Sequence, residues 1–353
     1  MVASPKSLVG RSFRNIVAME LALIGDVVMV TPALRRLRNA FPGARLTFIA
    51  QPFAWELLHS GELVDEVMVF DKRGEDSGGA GFLRLAQRMR PKDFDAAFIF
   101  HRSFGSATAA ALARIPVRVG YRHEMRDFLL THPVKERELP EHIIRENLYL
   151  LDAVGITGEE SMAEVAVDTA HEAAFLAQFG QRMDSKPVVA ICPSGGWETK
   201  LWRPQLISRF LDLFGVGEVT FVLIGAPGDE RITREVYSVN NEIIDLAGKT
   251  TIREMVYLLK RANVVVSPDT SAAHIAAALG TPVVALFGPT ASEHCMPQEG
   301  SKSTVIYGNV NCLKCYKKKC SKDPFCMDTI APEEVKAEVD RYLALSSFQA
   351  PKE

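Results

Sequence analysis

Residues 264–287 read VVVSPDTSAAHIAAALGTPVVALF. Val264–Ser267 opens with an uncharged, β-branched run of strand length. Pro268, Asp269 and Thr270 are turn and helix-capping residues, so the chain leaves the strand and enters a helix almost at once. Ala272, Ala273, Ala276, Ala277 and Ala278 favour that helix and leave little bulk on it. Gly280 closes the helix, and Pro282–Phe287 is a second apolar strand. Strand, helix and strand in this order form the crossover unit of a parallel sheet.

The alternation continues outward from this segment. Upstream lie strands Pro187–Cys192, Thr220–Ile224 and Ile243–Asp245, interleaved with helices Pro204–Phe214, Arg231–Val239 and Ile252–Arg261. The first half repeats the pattern: strand Asn15–Glu20, a turn at Gly25-Asp26, and helix Val28–Ala40, with Pro32 expected in its first turn, where a missing N–H costs nothing. Phe41-Pro42-Gly43 stops that helix, and strands follow at Arg45–Ala50, Glu66–Phe70 and Phe94–Phe100. The polar, glycine-rich stretch Asp71–Gly81 reads as a mobile loop. Helices are expected over Phe82–Met89, Ser106–Arg114, His142–Val154 and Thr169–Phe179, then a linker at Gly180–Lys186 and a charged C-terminal helix at Ala331–Leu345. The expected organisation is two doubly wound α/β domains, 1–180 and 181–330, with a helix and tail at 331–353.

Bulk composition agrees. A chain of 353 residues suits two domains at roughly 150 residues each. With 47% hydrophobic and 24% charged residues, two cores can be buried. A net charge of -2 gives no global basic field, so no nucleic-acid partner is expected. No run of about 18 uncharged apolar residues suggests a membrane span. Glu20 and Asp26 interrupt the apolar run from Ile16, and no small-residue cleavage site follows, which argues against a signal peptide. The cysteines are not distributed as a disulfide scaffold, so a cytoplasmic location is expected.

Facing doubly wound domains bind ligands at the carboxyl ends of their strands, in the cleft between them. The strand-to-helix turns should therefore carry the chemistry. The first turn lacks G-x-G-x-x-G, which argues against a dinucleotide-dependent dehydrogenase. Asp26 in that turn reads either as a helix cap or as a general base for an acceptor hydroxyl. In the second half, free N–H groups at the helix start after Asp269-Thr270-Ser271 suit a pyrophosphate. His274 shares a face with Thr270 one turn in, as ligand contact or as a core histidine. Ser194-Gly195-Gly196 and Gly288-Pro289-Thr290 are small-residue turns that allow close approach of a nucleotide. Lys200 reads as a phosphate contact or a solvated lysine. Trp202 before Pro204 reads as a hydrophobic staple.

Several of these segments resemble one family. Gly25-Asp26, Thr31-Pro32 and Leu34, with Phe41-Pro42-Gly43-Ala44, look like the opening signature of glycosyltransferase family nine, the heptosyltransferases of lipopolysaccharide inner-core assembly. Asp245–Thr250 resembles a later family segment, and Asp269–Thr290 is close to the strongest family motif. The likeness runs from about residue 15 to 340. It implies an inverting GT-B enzyme, with two Rossmann-like domains facing across a cleft, that needs no cofactor for catalysis. By this resemblance Asp26 matches the catalytic base, Lys200 the phosphate-contacting lysine, and Asp269, Thr270 and His274 the donor loop and helix. Ser271 stands where the family usually has glycine, so either no glycine-only conformation is needed or it is reached at some cost. Asp229 and Glu230 are alternatives for holding the donor ribose. The implied substrates are ADP-heptose and a lipid-anchored core oligosaccharide, met by peripheral contact with the inner membrane. Arg118 and Arg122, with Arg102, Arg114 and Arg126 nearby, suit an acidic acceptor; dispersed surface arginines are the other reading. Another nucleotide sugar, a protein or capsule-glycan acceptor, and an inert nucleotide- or metal-binding module are the competing functions.

Cys312, Cys315, Cys320 and Cys326 crowd into fifteen residues. Four thiolates at this spacing suit a structural zinc or iron ion, with reduced thiols in a surface loop as the alternative. Lysines between them suit anionic phospholipid or plain solvation. Cys192 and Cys295 read as packing residues.

Overall fold

A computed structural model describes residues 6–347 apart from 59–61, 140, 180–182, 184, 185, 240 and 324. The expected linker at 180–186 and the tail beyond 347 lie largely outside the described residues. The chain divides into two units, Met1–Ala166 and Val167–Glu353.

In the first unit six strands form one parallel sheet: β1 (Asn15–Met19), β2 (Arg45–Ala50), β3 (Glu66–Val69), β4 (Ala96–Ile99), β5 (Val117–Tyr121) and β6 (His132–Val134). Their spatial order is β3-β2-β1-β4-β5-β6. In the second unit β7 (Val188–Ile191), β8 (Thr220–Leu223), β9 (Ile243–Asp245), β10 (Val264–Pro268), β11 (Val283–Phe287) and β12 (Ser303–Tyr307) take the order β12-β11-β10-β7-β8-β9. Counted from its own first strand, each sheet has the doubly wound order 3-2-1-4-5-6. Every pairing is parallel, and β1, β4, β7, β10 and β11 are almost wholly buried, which is why they read as continuous apolar runs. In such a sheet the chain leaves the first strand to one side and later returns to the other. A crevice opens at that switch point, between β1 and β4 in the first unit and between β7 and β10 in the second.

The helices are α1 (Ile24–Ala40), α2 (Ala54–Leu58), α3 (Gly78–Met89), α4 (Phe104–Leu112), α5 (Ile143–Asp152), α6 (Thr169–Phe179), α7 (Pro204–Asp212), α8 (Glu230–Thr233), α9 (Ile252–Arg261), α10 (Ser271–Ala278), α11 (Ser292–Cys295) and α12 (Pro332–Ser347). None of the described helices is long and apolar enough to cross a membrane.

Four differences from the sequence reading have clear causes. First, α1 starts at Ile24, so Pro32 sits inside the helix rather than in its first turn. The carbonyl of Val28, which a residue with an N–H at position 32 would have used, accepts instead from the Thr31 hydroxyl at 2.7 Å. Second, the stretch expected to be mobile is tied down. Asp76 is buried, its carboxylate accepts from Asp71 N at 3.0 Å and pairs with Arg88 at 2.8 Å, and Gly78–Gly81 is already helical. Gly81 is required there, because a Cβ would lie 1.8 Å from the Asp76 carbonyl oxygen. Third, β12 extends the second sheet by an edge strand whose partly exposed STVIY gives a weak pattern. Fourth, the division of the chain lies before α6. Phe175 of that helix meets Tyr257 of α9, ring centroids 6.1 Å apart, and Glu172 pairs with Lys260 at 2.9 Å.

Candidate active site

The first switch point holds two carboxylates on one turn. Asp26 lies in the first turn of α1 and is half-buried; its Oδ2 accepts the Leu23 N–H at 2.9 Å. The capping reading is therefore realised, with Asp26 inside the helix because the residue ahead of Ile24, Leu23, has no side-chain acceptor. Glu20, at the carboxyl end of β1, is only 7% exposed and accepts the Ala22 N–H at 2.9 Å. Burial, reinforced by the charge of Asp26, pushes the Glu20 carboxyl up to about 8. Beyond β4, Arg102 pairs with Glu146 at 2.6 Å and lies 4.7 Å over the Tyr121 ring.

The other arginines separate by strand end. Arg122 follows the carboxyl end of β5 and faces Asp127 at 3.7 Å. Arg118 sits near the opposite end of that strand, and its guanidinium donates to the carbonyls of Leu129 at 2.6 Å and Ile115 at 2.5 Å. Holding backbone together is thus its visible task, and its placement lends an acceptor role no support. Arg126 is fully buried, donating to the carbonyls of Tyr121, His101 and Ser103 at 2.7–2.9 Å. Burial depresses its ordinarily very high pKa to about 10.

The second switch point is built around a buried ion pair. Lys200 is 9% exposed, and its Nζ lies 2.6 Å from Asp269 Oδ2 and 3.0 Å from the Asp269 carbonyl oxygen. His274 Nε2 stands 3.8 Å from the other carboxylate oxygen, and Cys295 Sγ is 3.4 Å from Oδ2. Burial works to raise the Asp269 pKa, but the nearby His274 ring and the charge of Lys200 outweigh it and hold the carboxyl well below the usual range. Trp197 lies under the ammonium at 4.7 Å. Gly195 is needed by this arrangement: a Cβ there would stand 2.8 Å from Lys200 Cδ and 3.1 Å from Thr270 Cγ2. Its small size makes room for the lysine stem.

Thr270 caps α10, its hydroxyl accepting from Ala272 N at 3.1 Å and meeting Ser267 Oγ at 3.1 Å. Ser271 is the first helical residue and has no positive φ, so the departure from glycine brings no strain. Asp229 braces the adjoining turn, taking Ser194 Oγ and Ala226 N at 2.9 Å each. Glu230 accepts Gly228 N at 2.5 Å and packs against Gly248. The structure therefore brings Ser194, Gly195, Lys200, Asp229, Asp269, Thr270 and His274 onto adjoining turns of one sheet edge. Glu20, Trp197 and Cys295 join these two sites unanticipated; a glutamate in an apolar run was the one signal for the first.

Gly288 belongs to a different structure. A Cβ on it would lie 2.4 Å from Cys326 Sγ and 3.1 Å from Met327 Sδ. The segment carrying Cys312–Cys326 lies against this turn: Lys314 N donates to Gly288 O at 2.9 Å and Tyr316 N to Pro289 O at 2.8 Å. The Thr199 hydroxyl, beside Lys200, donates to Lys317 O at 2.6 Å. The segment thus straps the turns after β7 and β11 together. All four of its cysteines line one cavity of about 350 Å³, yet among the described residues no three His, Cys, Asp or Glu side chains come together as a metal site. As arranged, the thiols do not fit a zinc or iron ion, and the expectation of a structural metal is not supported. Burial, with the neighbouring Cys315 and Cys312, pushes the Cys326 thiol up.

Comparisons with known proteins bear on the family and the fold. The family description "Glycosyltransferase family 9 (heptosyltransferase)" matches residues 82–326. Lipooligosaccharide heptosyltransferase 2 of Haemophilus influenzae is 24% identical over 311 residues, covering 83% of this chain and 88% of its own. A family 9 glycosyltransferase from Veillonella parvula superposes with a TM-score of 0.82 at 20% identity, over 97% of this chain and 100% of its own. The ADP-heptose LPS heptosyltransferase II of E. coli superposes at 0.77 with 24% identity, over 94% and 99%. These likenesses establish the fold, that of the GT-B transferases.

Proposed function

Because the chain belongs to glycosyltransferase family 9, the heptosyltransferases, we propose that it transfers heptose from ADP-heptose to the inner core of lipopolysaccharide, with inversion at the anomeric carbon. An acceptor hydroxyl attacks that carbon, the bond from carbon to the diphosphate oxygen breaks, ADP departs, and Asp26 takes the hydroxyl proton. Lys200 and the N–H groups at the start of α10 stabilise the negative charge that grows on the leaving diphosphate. Asp269, with His274 beside its other carboxylate oxygen, holds Lys200 in place until the diphosphate competes for it. Arg122 and Arg102, at the carboxyl ends of β5 and β4, suit an anionic, lipid-anchored acceptor met at a membrane surface.

One observation carries this reading. Asp26 and the Lys200–Asp269 pair occupy corresponding turns, each at the switch point of its own sheet, where such sheets bind ligands. The test is Asp26→Asn, which keeps an oxygen for the Leu23 N–H but cannot take a proton. Removal of a general base costs roughly 10²–10⁴ in rate, so ADP release from ADP-heptose should fall by about three orders of magnitude with the melting temperature preserved. Turnover within threefold of the unaltered protein would refute the base assignment.

A further inference from the structure

Glu20 is a buried titratable group in the first switch-point turn, and the reaction outlined above makes no use of it. The turn between β1 and α1 is held by two carboxylates on consecutive amides: Glu20 takes the N–H of Ala22, and Asp26 takes the N–H of Leu23, both at 2.9 Å. Gln51 fastens the same turn from the β2 side, donating to the carbonyls of Leu21, at 3.1 Å, and Ala22. The charged groups that act on the Glu20 carboxyl are Asp26 on α1 and Arg102 beyond β4. Arg102 is shared with Glu146 at 2.6 Å and Glu136 at 3.6 Å, so its charge is largely matched elsewhere. Resting on the assignment of Asp26 as base, we propose that Glu20 is a positioning residue, a neutral carboxyl group that braces the turn from the strand side and leaves Asp26 its one negative charge.

Two carboxyl groups in unlike surroundings divide the roles of proton holder and proton acceptor: the buried one keeps its proton, and the more exposed one stays ionised. Loss of the Glu20 proton puts a second, poorly solvated negative charge next to Asp26, on a turn that both carboxyl groups tether. The two like charges then repel and push Asp26 from its aim. The sign follows from the raised pKa of about 8: the neutral form dominates below it, so activity is lost as pH rises through that value.

The experiment is the pH profile of kcat/KM for ADP release between pH 6 and 10, for the unaltered protein, Glu20→Gln, Glu20→Ala and Asp26→Asn. The amide of Glu20→Gln stays neutral at every pH. The expected result is an alkaline limb near pH 8 in the unaltered protein that is absent from Glu20→Gln, so that their ratio shifts about tenfold between pH 7 and pH 9 for one ionisation. Glu20→Ala should be impaired throughout, and Gln should rescue it. Melting temperature supplies a readout independent of turnover: Glu20→Gln should gain on the unaltered protein from about pH 4.5 to 8 and no further, whereas a role of size alone gives a constant difference. Superimposable profiles for the unaltered protein and Glu20→Gln, with Asp26→Asn inactive, overturn the Glu20 proposal alone. An active Asp26→Asn overturns the base assignment, and this proposal with it.

Discussion

Lys200→Met tests whether the lysine is the buried partner that the second switch point requires. Both side chains of the pair are close to nine-tenths buried, Lys200 at 11% and Asp269 at 10% side-chain exposure. Removing one member of such a pair leaves a buried charge without a partner and costs about 3–5 kcal/mol. His274 at 3.8 Å and Cys295 at 3.4 Å take up part of the Asp269 charge, which points to the lower end. For a unit of this size each kcal/mol shifts the melting temperature by roughly 2–4 °C, so a loss of about 3 kcal/mol corresponds to about 6–12 °C. Tryptophan fluorescence is the suitable probe, because two of the chain's three tryptophans report on this region. Trp197 lies under the Lys200 ammonium, and Trp202 is buried, donating to Ile330 O at 3.4 Å. Lys200→Met/Asp269→Asn removes both charges and should recover most of the loss, since replacing a whole buried pair is often close to neutral. A single variant that melts within 2 °C of the unaltered protein, or a double variant no better than Lys200→Met, would show that the pair is not a desolvated one. Lys200 would then be the solvated lysine that its residue type suggests.

Two further outcomes are expected. Gly288→Ala should cost about 1–3 kcal/mol, because its Cβ would stand 2.4 Å from Cys326 Sγ; calorimetry measures the loss, and faster reaction of Cys326 with a thiol reagent reports the loosened strap. In the native protein a disulfide reagent should modify exposed Cys315 within minutes and leave Cys192 untouched, because burial raises the latter's pKa to about 11; peptide mapping before and after denaturation distinguishes them.

Most of the fold was legible because parallel strands covered on both faces must be apolar throughout, as Val188–Ile191 and Val264–Val266 are. The turns between them were legible through Asp, Thr and Gly, whose local conformational habits survive any tertiary setting. Burial of polar groups was less visible. A lysine is nearly always exposed, and nothing near position 200 announces that Gly195 has been kept small to admit its stem. Glu20 looked like an interruption of an apolar run, but its partners, the Ala22 amide and the Asp26 charge, exist only once the turn has closed. Arg118 read as part of an acceptor cluster because sequence proximity to Arg122 hides a four-residue strand advance, which carries the two to opposite sheet edges. Gly288 shows the same limit from the other side: a small residue in a phosphate-site position is small here for a cysteine 38 residues away. In each case the residue type was read correctly for its average environment, and the structure places it in an exceptional one. Burial cost is why the exceptions are informative. Lys200, Asp269 and Glu20 are all held out of water near the carboxyl end of a central strand, where a fold built for stability alone would have placed apolar side chains.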